Sequence, residues 1–224
     1  MGDRSRHVFR PAALDALPGD SAQALSSGDM YHLLNGAIAP RPVAWVSTLG
    51  VDGTPNLAPH SYTTVFSTDP PVVGFVSVGR KDSLNNAEAS GEFVLNIAGL
   101  ELLDQLNLTA ANFPPHEDEF AWAGLTRVAS DVVAAPRVGE APVAFETRLA
   151  GVVPIGNSVL VLGEVLRVHV ASAVWRDGRI DPHLLNPILR LAGSQFAQLG
   201  ETFNLPRPSY QDVLAGTVAK RGRA

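Results

Sequence analysis

Arg80-Lys81-Asp82-Ser83 places two cations and a hydroxyl where a buried strand, Val72 to Val78, hands over to the start of a predicted helix. Cations neutralise negative charge, while the hydroxyl and the free amides of a helix start donate hydrogen bonds. The stretch therefore suits a phosphate group. A solvated turn with an ordinary helix cap at Asp82 or Ser83 would have the same composition. A second stretch, Asn56-Leu57-Ala58-Pro59-His60-Ser61-Tyr62, carries a proline inside an otherwise well-formed strand pattern. Such an interruption frees main-chain groups to meet a ligand, and Asn56 and Ser61 add donors and acceptors. It suits a ring with an apolar body and a polar edge. A simple edge-strand bulge accounts for it as well. Third, Val46-Ser47-Thr48 ends the first strong strand and sets two hydroxyls beside a turn. These are also residue types that strands favour without any ligand.

Other chemistry is poorly supported. The 224 residues include no cysteine, which excludes disulfides, thiolate catalysis, iron–sulfur clusters and cysteine zinc sites. His60, His116 and His183 match no metal-ligand spacing, and His116-Glu117-Asp118-Glu119 reads as a solvated acidic loop. No GxGxxG follows a strand and no GxSxG occurs, which argues against a Rossmann dinucleotide site or a serine-hydrolase elbow. A net charge of −5 gives no support to nucleic-acid binding. No apolar run approaches the roughly 18 residues that span a bilayer. Met1 to Pro18 lacks the apolar core of a secretory signal, so a cytoplasmic protein is expected.

The elements that must position these residues are mostly strands. Val43 to Leu49 is β-branched and aromatic, and Asp52-Gly53 beyond it is a hairpin signal, because both residues tolerate positive φ. Leu57 to Ser67 is expected as one return strand, broken by Asp69-Pro70-Pro71. After Val72 to Val78, a helix is expected over Asp82 to Ala89, ended by Gly91, and then a strand over Glu92 to Ile97. Leu103, Leu106, Ala110 and Phe113 recur at helical spacing, predicting a helix over 100–112. Val143 to Val153 alternates, with Val143, Phe145, Thr147 and Leu149 on one face and Glu146 and Arg148 on the other. Gly156-Asn157 turns into the longest strand, Ser158 to Val170. Asp177-Gly178 makes a further turn, and a short helix is expected near Leu184–Leu191. The fold class is mainly β: about seven largely antiparallel strands in a barrel with a few flanking helices. The expected organisation is a flexible arm over 1–28 with one helical turn near Ala12–Leu17, one domain over 29–210, and a tail over 211–224.

Taken in order, the motifs resemble the flavin reductase-like proteins of the FMN-binding split-barrel superfamily. The matching segments run from Ala39-Pro40-Arg41-Pro42-Val43-Ala44-Trp45-Val46-Ser47-Thr48 through Asn56 to Tyr62, Ser67 to Val73, Arg80 to Asn86 and Gly91 to Asn96. They continue with Glu119-Phe120, Pro142 and Phe203-Asn204-Leu205-Pro206-Arg207-Pro208. The resemblance implies a split barrel that binds FMN at the interface of a homodimer. Val46, Ser47 and Thr48 would line the flavin. Asn56, Ala58 and Ser61 would meet its ring or ribityl chain, with Leu57, Pro59 and His60 in the same stretch. Arg80, Lys81 and Ser83, with Asp82 between them, would hold the phosphate. It also implies an NAD(P)H-dependent flavin reductase, or else an electron carrier reduced by a partner, and leaves room for a partner monooxygenase. No acid or base side chain is required, because the cofactor carries the chemistry. Arg190, Phe196 and Arg207 are weaker candidates for closing the substrate side. Relatives often carry an aromatic residue where this chain has His60, and a threonine where it has Ser83.

Overall fold

The computed structural model describes residues 7–219. Residues 1–6 of the expected arm and 220–224 of the expected tail lie outside the described residues. Seven antiparallel strands form the main sheet: β1 (Ala44–Leu49), β2 (Pro55–His60), β3 (Thr63–Thr68), β4 (Pro71–Val78), β5 (Glu92–Ile97), β6 (Val143–Ile155) and β7 (Ser158–Val170). Their order is β2-β1-β5-β6-β7-β4-β3. The two edge strands, β2 and β3, are thus separated in sequence only by Ser61 and Tyr62, so the sheet must curl until its edges meet. The seam is visible in two contacts. The Val76 amide donates to Tyr62 O at 2.8 Å, and His60 Nδ1 lies 3.2 Å from Val76 O. The result is a split barrel.

This closure corrects the expectation of one strand over Leu57 to Ser67. The chain breaks at Ser61-Tyr62 instead, and the two halves join opposite edges. Pro59 does not interrupt β2. It pairs with Trp45 in an edge strand, where its missing amide costs no ladder bond on the open side.

β1 is buried on both faces. Ala44 and Val46 enter the barrel interior with Phe75, Phe93, Leu95 and Val161, while Trp45 packs outside with Leu57, Leu106, Phe120 and Ile188. Trp45 satisfies its buried indole by donating to Thr109 Oγ1 at 2.8 Å. Phe75 and Phe93 meet edge to face at 5.3 Å, and burying each contributes roughly 1.5–3 kcal/mol. Gly163 on β7 makes room for this core. A Cβ there would lie 2.5 Å from the Phe93 ring and 2.7 Å from Thr147 Cβ.

The helices flank the barrel. They include α1 (Ser27–Ala37), α2 (Asp82–Ser90), α3 (Leu103–Leu108) and α4 (Glu119–Trp122). α1 was not expected. Ser26 caps its start, and buried Arg41 donates to Asn35 O and Ile38 O at its end and to Leu191 O beyond. α2 sends Leu84 and Ala87 into the barrel core and stops at Gly91, whose φ of +74° suits only a residue without a Cβ. Its N-cap is Lys81, rather than Asp82 or Ser83, and no side chain caps it. The helix expected over 100–112 is a 3₁₀ turn, Leu100–Leu102, followed by α3. The helix expected near Leu184–Leu191 is confined to Pro182–Leu185, because Leu189–Arg190 joins a small separate sheet. In place of a helical turn near Ala12–Leu17, Phe9–Pro11 pairs in parallel with Gln23–Leu25.

Glu146 departs from the simple alternation of β6. A bulge falls between Glu146 and Thr147, and the carboxylate is fully buried while Arg148 stays exposed and pairs with Glu164. Glu146 accepts from the Asp131 and Val132 amides at 2.8 and 2.7 Å, and His169 Nε2 lies 2.6 Å away. It therefore staples the 131–132 loop to the barrel. Among the described residues, no helix is long and apolar enough to cross a membrane.

Candidate functional site

A cleft of about 430 Å³ opens where the seam ends. That volume lies within the usual range for a bound cofactor or drug-sized ligand. β2 and the turn after it supply Asn56, Ala58, Pro59, His60, Ser61 and Tyr62, and β4 supplies Val76 and Val78. The start of α2 supplies Arg80, Lys81, Asp82 and Ser83, and the segment after α3 supplies Thr109 to Phe113 and Pro115. Tyr31 from α1 and Glu119 from α4 complete it.

Two of the three motifs therefore converge. The curl of the sheet carries the end of β2 to the end of β4, and α2 starts there. The third motif does not join them. Val46 lies in the barrel core, Ser47 donates to Pro136 O at 2.5 Å, and Thr48 accepts from Asn86. Leu57, inside the second motif, turns its side chain into the outer core. These four side chains do not line the cleft, because alternation along β1 and β2 sends them to other faces. Arg190 stacks over Phe196 at 4.3 Å and donates to Gly193 O, and neither these two nor Arg207 lines the cleft.

The charged end of the cleft is built by α2. Arg80 lines the cleft but its guanidinium is already engaged, donating to Asn85 Oδ1 and pairing with Glu88. The Lys81 side chain makes no hydrogen bond or ion pair with another described residue, although its carbonyl accepts from the Asn85 amide. It stands at an uncapped helix start, where main-chain amides and the helix dipole favour an anion.

Beside Lys81, Ser83 is buried and bonded twice. Asn56 Nδ2 donates to its Oγ at 3.2 Å, and His60 Nε2 lies 3.2 Å away. Burial, with the Lys81 charge nearby, pushes His60 down to about 4, so the ring is neutral near pH 7.

Three features of the cleft are set by tertiary contacts and not by local sequence. Glu119, expected in a solvated acidic loop, instead starts α4. Its residue is only 6% exposed, and its Oε2 accepts from the Leu57 amide at 3.0 Å. Burial pushes its carboxyl above the usual range, and Asp82 and Asp118 nearby add to this. Tyr62 is held by buried Asn35, whose Nδ2 donates to the phenol oxygen at 2.8 Å, with the Arg41 guanidinium 5.6 Å from the ring. Tyr31 comes from the unexpected helix α1. The only local hint of Glu119's placement is Phe120 beside it, which is fully buried.

The cleft thus joins apolar and aromatic walls, several hydrogen-bonding groups, and one unpaired cation at a helix start. It can seat a planar ring and hold an anionic tail. Elsewhere, Asp131, Glu146 and His169 bring one ligand atom each within 4.8 Å of one another. Both Glu146 oxygens are already committed to amides and His169, and Asp131 pairs with Arg167 at 2.8 Å. That trio reads as a structural network.

A sequence profile described as "Flavin reductase like domain" matches residues 36–185. Among solved structures, component B of nitrilotriacetate monooxygenase from Bacillus cereus is 38% identical, with a TM-score of 0.79 over 88% of this chain and 100% of that one. The 2-nitrobenzoate 2-nitroreductase of Pseudomonas fluorescens is 25% identical, with a TM-score of 0.77 over 83% and 94%. Flavoredoxin of Desulfovibrio vulgaris is 26% identical, with a TM-score of 0.68 over 74% and 90%.

Proposed function

The chain belongs to the flavin reductase-like family, and on that premise we propose that it binds FMN in the cleft and acts as an NAD(P)H-dependent flavin reductase or related flavin oxidoreductase. The observation that carries this reading is Lys81, unpaired at the open start of α2, at one end of a cleft whose other walls are largely uncharged. Lys81 and the first amides of α2 meet the phosphate. Asn56, Ala58 and Ser61 meet the ribityl chain or the polar edge of the ring. Pro59, Tyr62, Val76 and Phe113 supply apolar wall and exclude water.

Bound FMN would supply the electron and hydride chemistry, and the chain has no cysteine to supply thiol redox chemistry of its own. The protein's part is to hold the ring, neutralise its tail and leave one face open to a nicotinamide. NAD(P)H as reductant fits a cytoplasmic protein. Exposed Val65 and Phe66 on edge strand β3, with Val78 at the cleft, offer apolar surface to a second copy, and we read the working form as a homodimer. The likeness to a monooxygenase component favours an oxygenase partner as acceptor. The likeness to flavoredoxin supports a second reading, a flavin-binding electron carrier reduced by a partner protein and lacking its own NAD(P)H site.

The purified protein should show a flavin absorption band, and anaerobic NADH or NADPH should bleach it. A band that persists under those conditions favours the carrier. A protein that is colourless and takes up no added FMN would refute both readings.

A further inference from the structure

The hydrogen-bond directions around Ser83 restrict what that hydroxyl can recognise. His60 Nδ1 lies 3.2 Å from Val76 O, a main-chain carbonyl that can only accept, so Nδ1 must carry the ring proton. The ring is buried, no carboxylate pairs with it, and the charge acting on it is the cation Lys81, so it is neutral. A neutral ring protonated at Nδ1 has an accepting Nε2. Ser83 Oγ, 3.2 Å from that nitrogen, must therefore donate its only proton to His60. Asn56 Nδ2 in turn donates to Ser83 Oγ. The chain of donors runs Asn56 to Ser83 to His60 to Val76 O, and it leaves Ser83 with a lone pair and no free proton.

We propose that His60 makes the Ser83 hydroxyl an acceptor, so that this hydroxyl meets a hydroxyl of the ligand's polyol chain and takes no part in holding the phosphate, which falls to Lys81 and the main-chain amides at the start of α2. His60 is then a specificity-determining residue acting through Ser83. A phosphate oxygen over Ser83 would face lone pair against lone pair, whereas a polyol hydroxyl completes the oxygen's bonding. The ligand class rests on the flavin reading of the cleft.

Dissociation constants for FMN, riboflavin and lumiflavin, which lacks the polyol chain, test this in the full-length protein. S83A should weaken FMN and riboflavin in parallel, by up to about tenfold, and leave lumiflavin unchanged. H60F removes the acceptor and releases the Ser83 proton. It should raise the preference for FMN over riboflavin several-fold, and H60F/S83A should lose that gain. Nitrogen-15 NMR of the wild type, with no flavin added, should show His60 neutral and protonated at Nδ1 at pH 7, whatever the fate of the H60F fold. Protonation at Nε2, or S83A selectively weakening FMN, overturns the proposal while leaving the flavin reading intact. Failure of all three ligands to bind overturns the flavin reading and this specificity with it.

Discussion

The Leu57 amide donates a 3.0 Å hydrogen bond to Glu119 Oε2, joining the edge of the barrel to the helix that closes one end of the cleft. Replacing Glu119 by alanine leaves that buried amide unsatisfied and should cost about 1–3 kcal/mol in urea unfolding. E119Q keeps an acceptor and should cost less. Because burial holds the Glu119 carboxyl above 4.5, the folded state binds its proton more tightly than the unfolded state. Its contribution is present below 4.5 and is lost as pH rises through the raised value. Wild-type stability, taken relative to E119Q, should fall across that window. A flat difference would refute the assignment.

His60 acts in the opposite direction. Its folded value is about 4 against 6.5 unfolded, so the unfolded chain binds the extra proton between them. Stability from the neutral ring is present above 6.5 and lost as pH falls towards 4, by up to about 3 kcal/mol. Wild type measured against H60F by chemical denaturation should show that loss on the acid side. Equal pH profiles would mean the ring is not buried as described.

Glu146 holds two amides and a histidine without solvent contact, so E146A should be strongly destabilised, by about 3–5 kcal/mol. A chelator should leave the melting temperature unchanged, and added zinc should not raise it. A metal-dependent rise in the melting temperature would show that Asp131, Glu146 and His169 form a metal site.

Lys81 and Arg80 differ in their surroundings, and their variants should differ too. K81A should weaken FMN by about tenfold or more while sparing riboflavin, since only FMN carries the phosphate. R80A should have a smaller effect, because Arg80 is engaged with Asn85 and Glu88. Added salt should weaken FMN more than riboflavin in the wild type, and less so in K81A. If K81A weakens both ligands equally, the phosphate does not sit at the start of α2.

Much of the fold is legible because its signals are local. Asp52-Gly53 and Gly156-Asn157 turn where their backbone freedom predicts, and Gly91 ends α2 at φ +74°. The return from β1 misleads for an equally physical reason. β2 and β3 read as one strand-like run through Pro59, and nothing local reports that the chain switches edges at Ser61-Tyr62.

The candidate site divides in the same way. By itself, the sequence determined that a cation-bearing helix start follows a buried strand, and that a proline-containing strand with Asn56 and His60 precedes both along the chain, because charge, turn residues and periodicity are properties of neighbours along the chain. Only the tertiary structure decided that these two stretches share a cleft with Tyr31, Tyr62 and Glu119, and that Val46, Ser47, Thr48 and Leu57 look elsewhere. Both faces of β1 are buried, so its pattern of side chains does not distinguish one face from the other. The partners of Ser83 come from β2, 27 and 23 residues away. Which way its proton points is settled by closing the barrel, a long-range event that leaves no mark on the residues beside it.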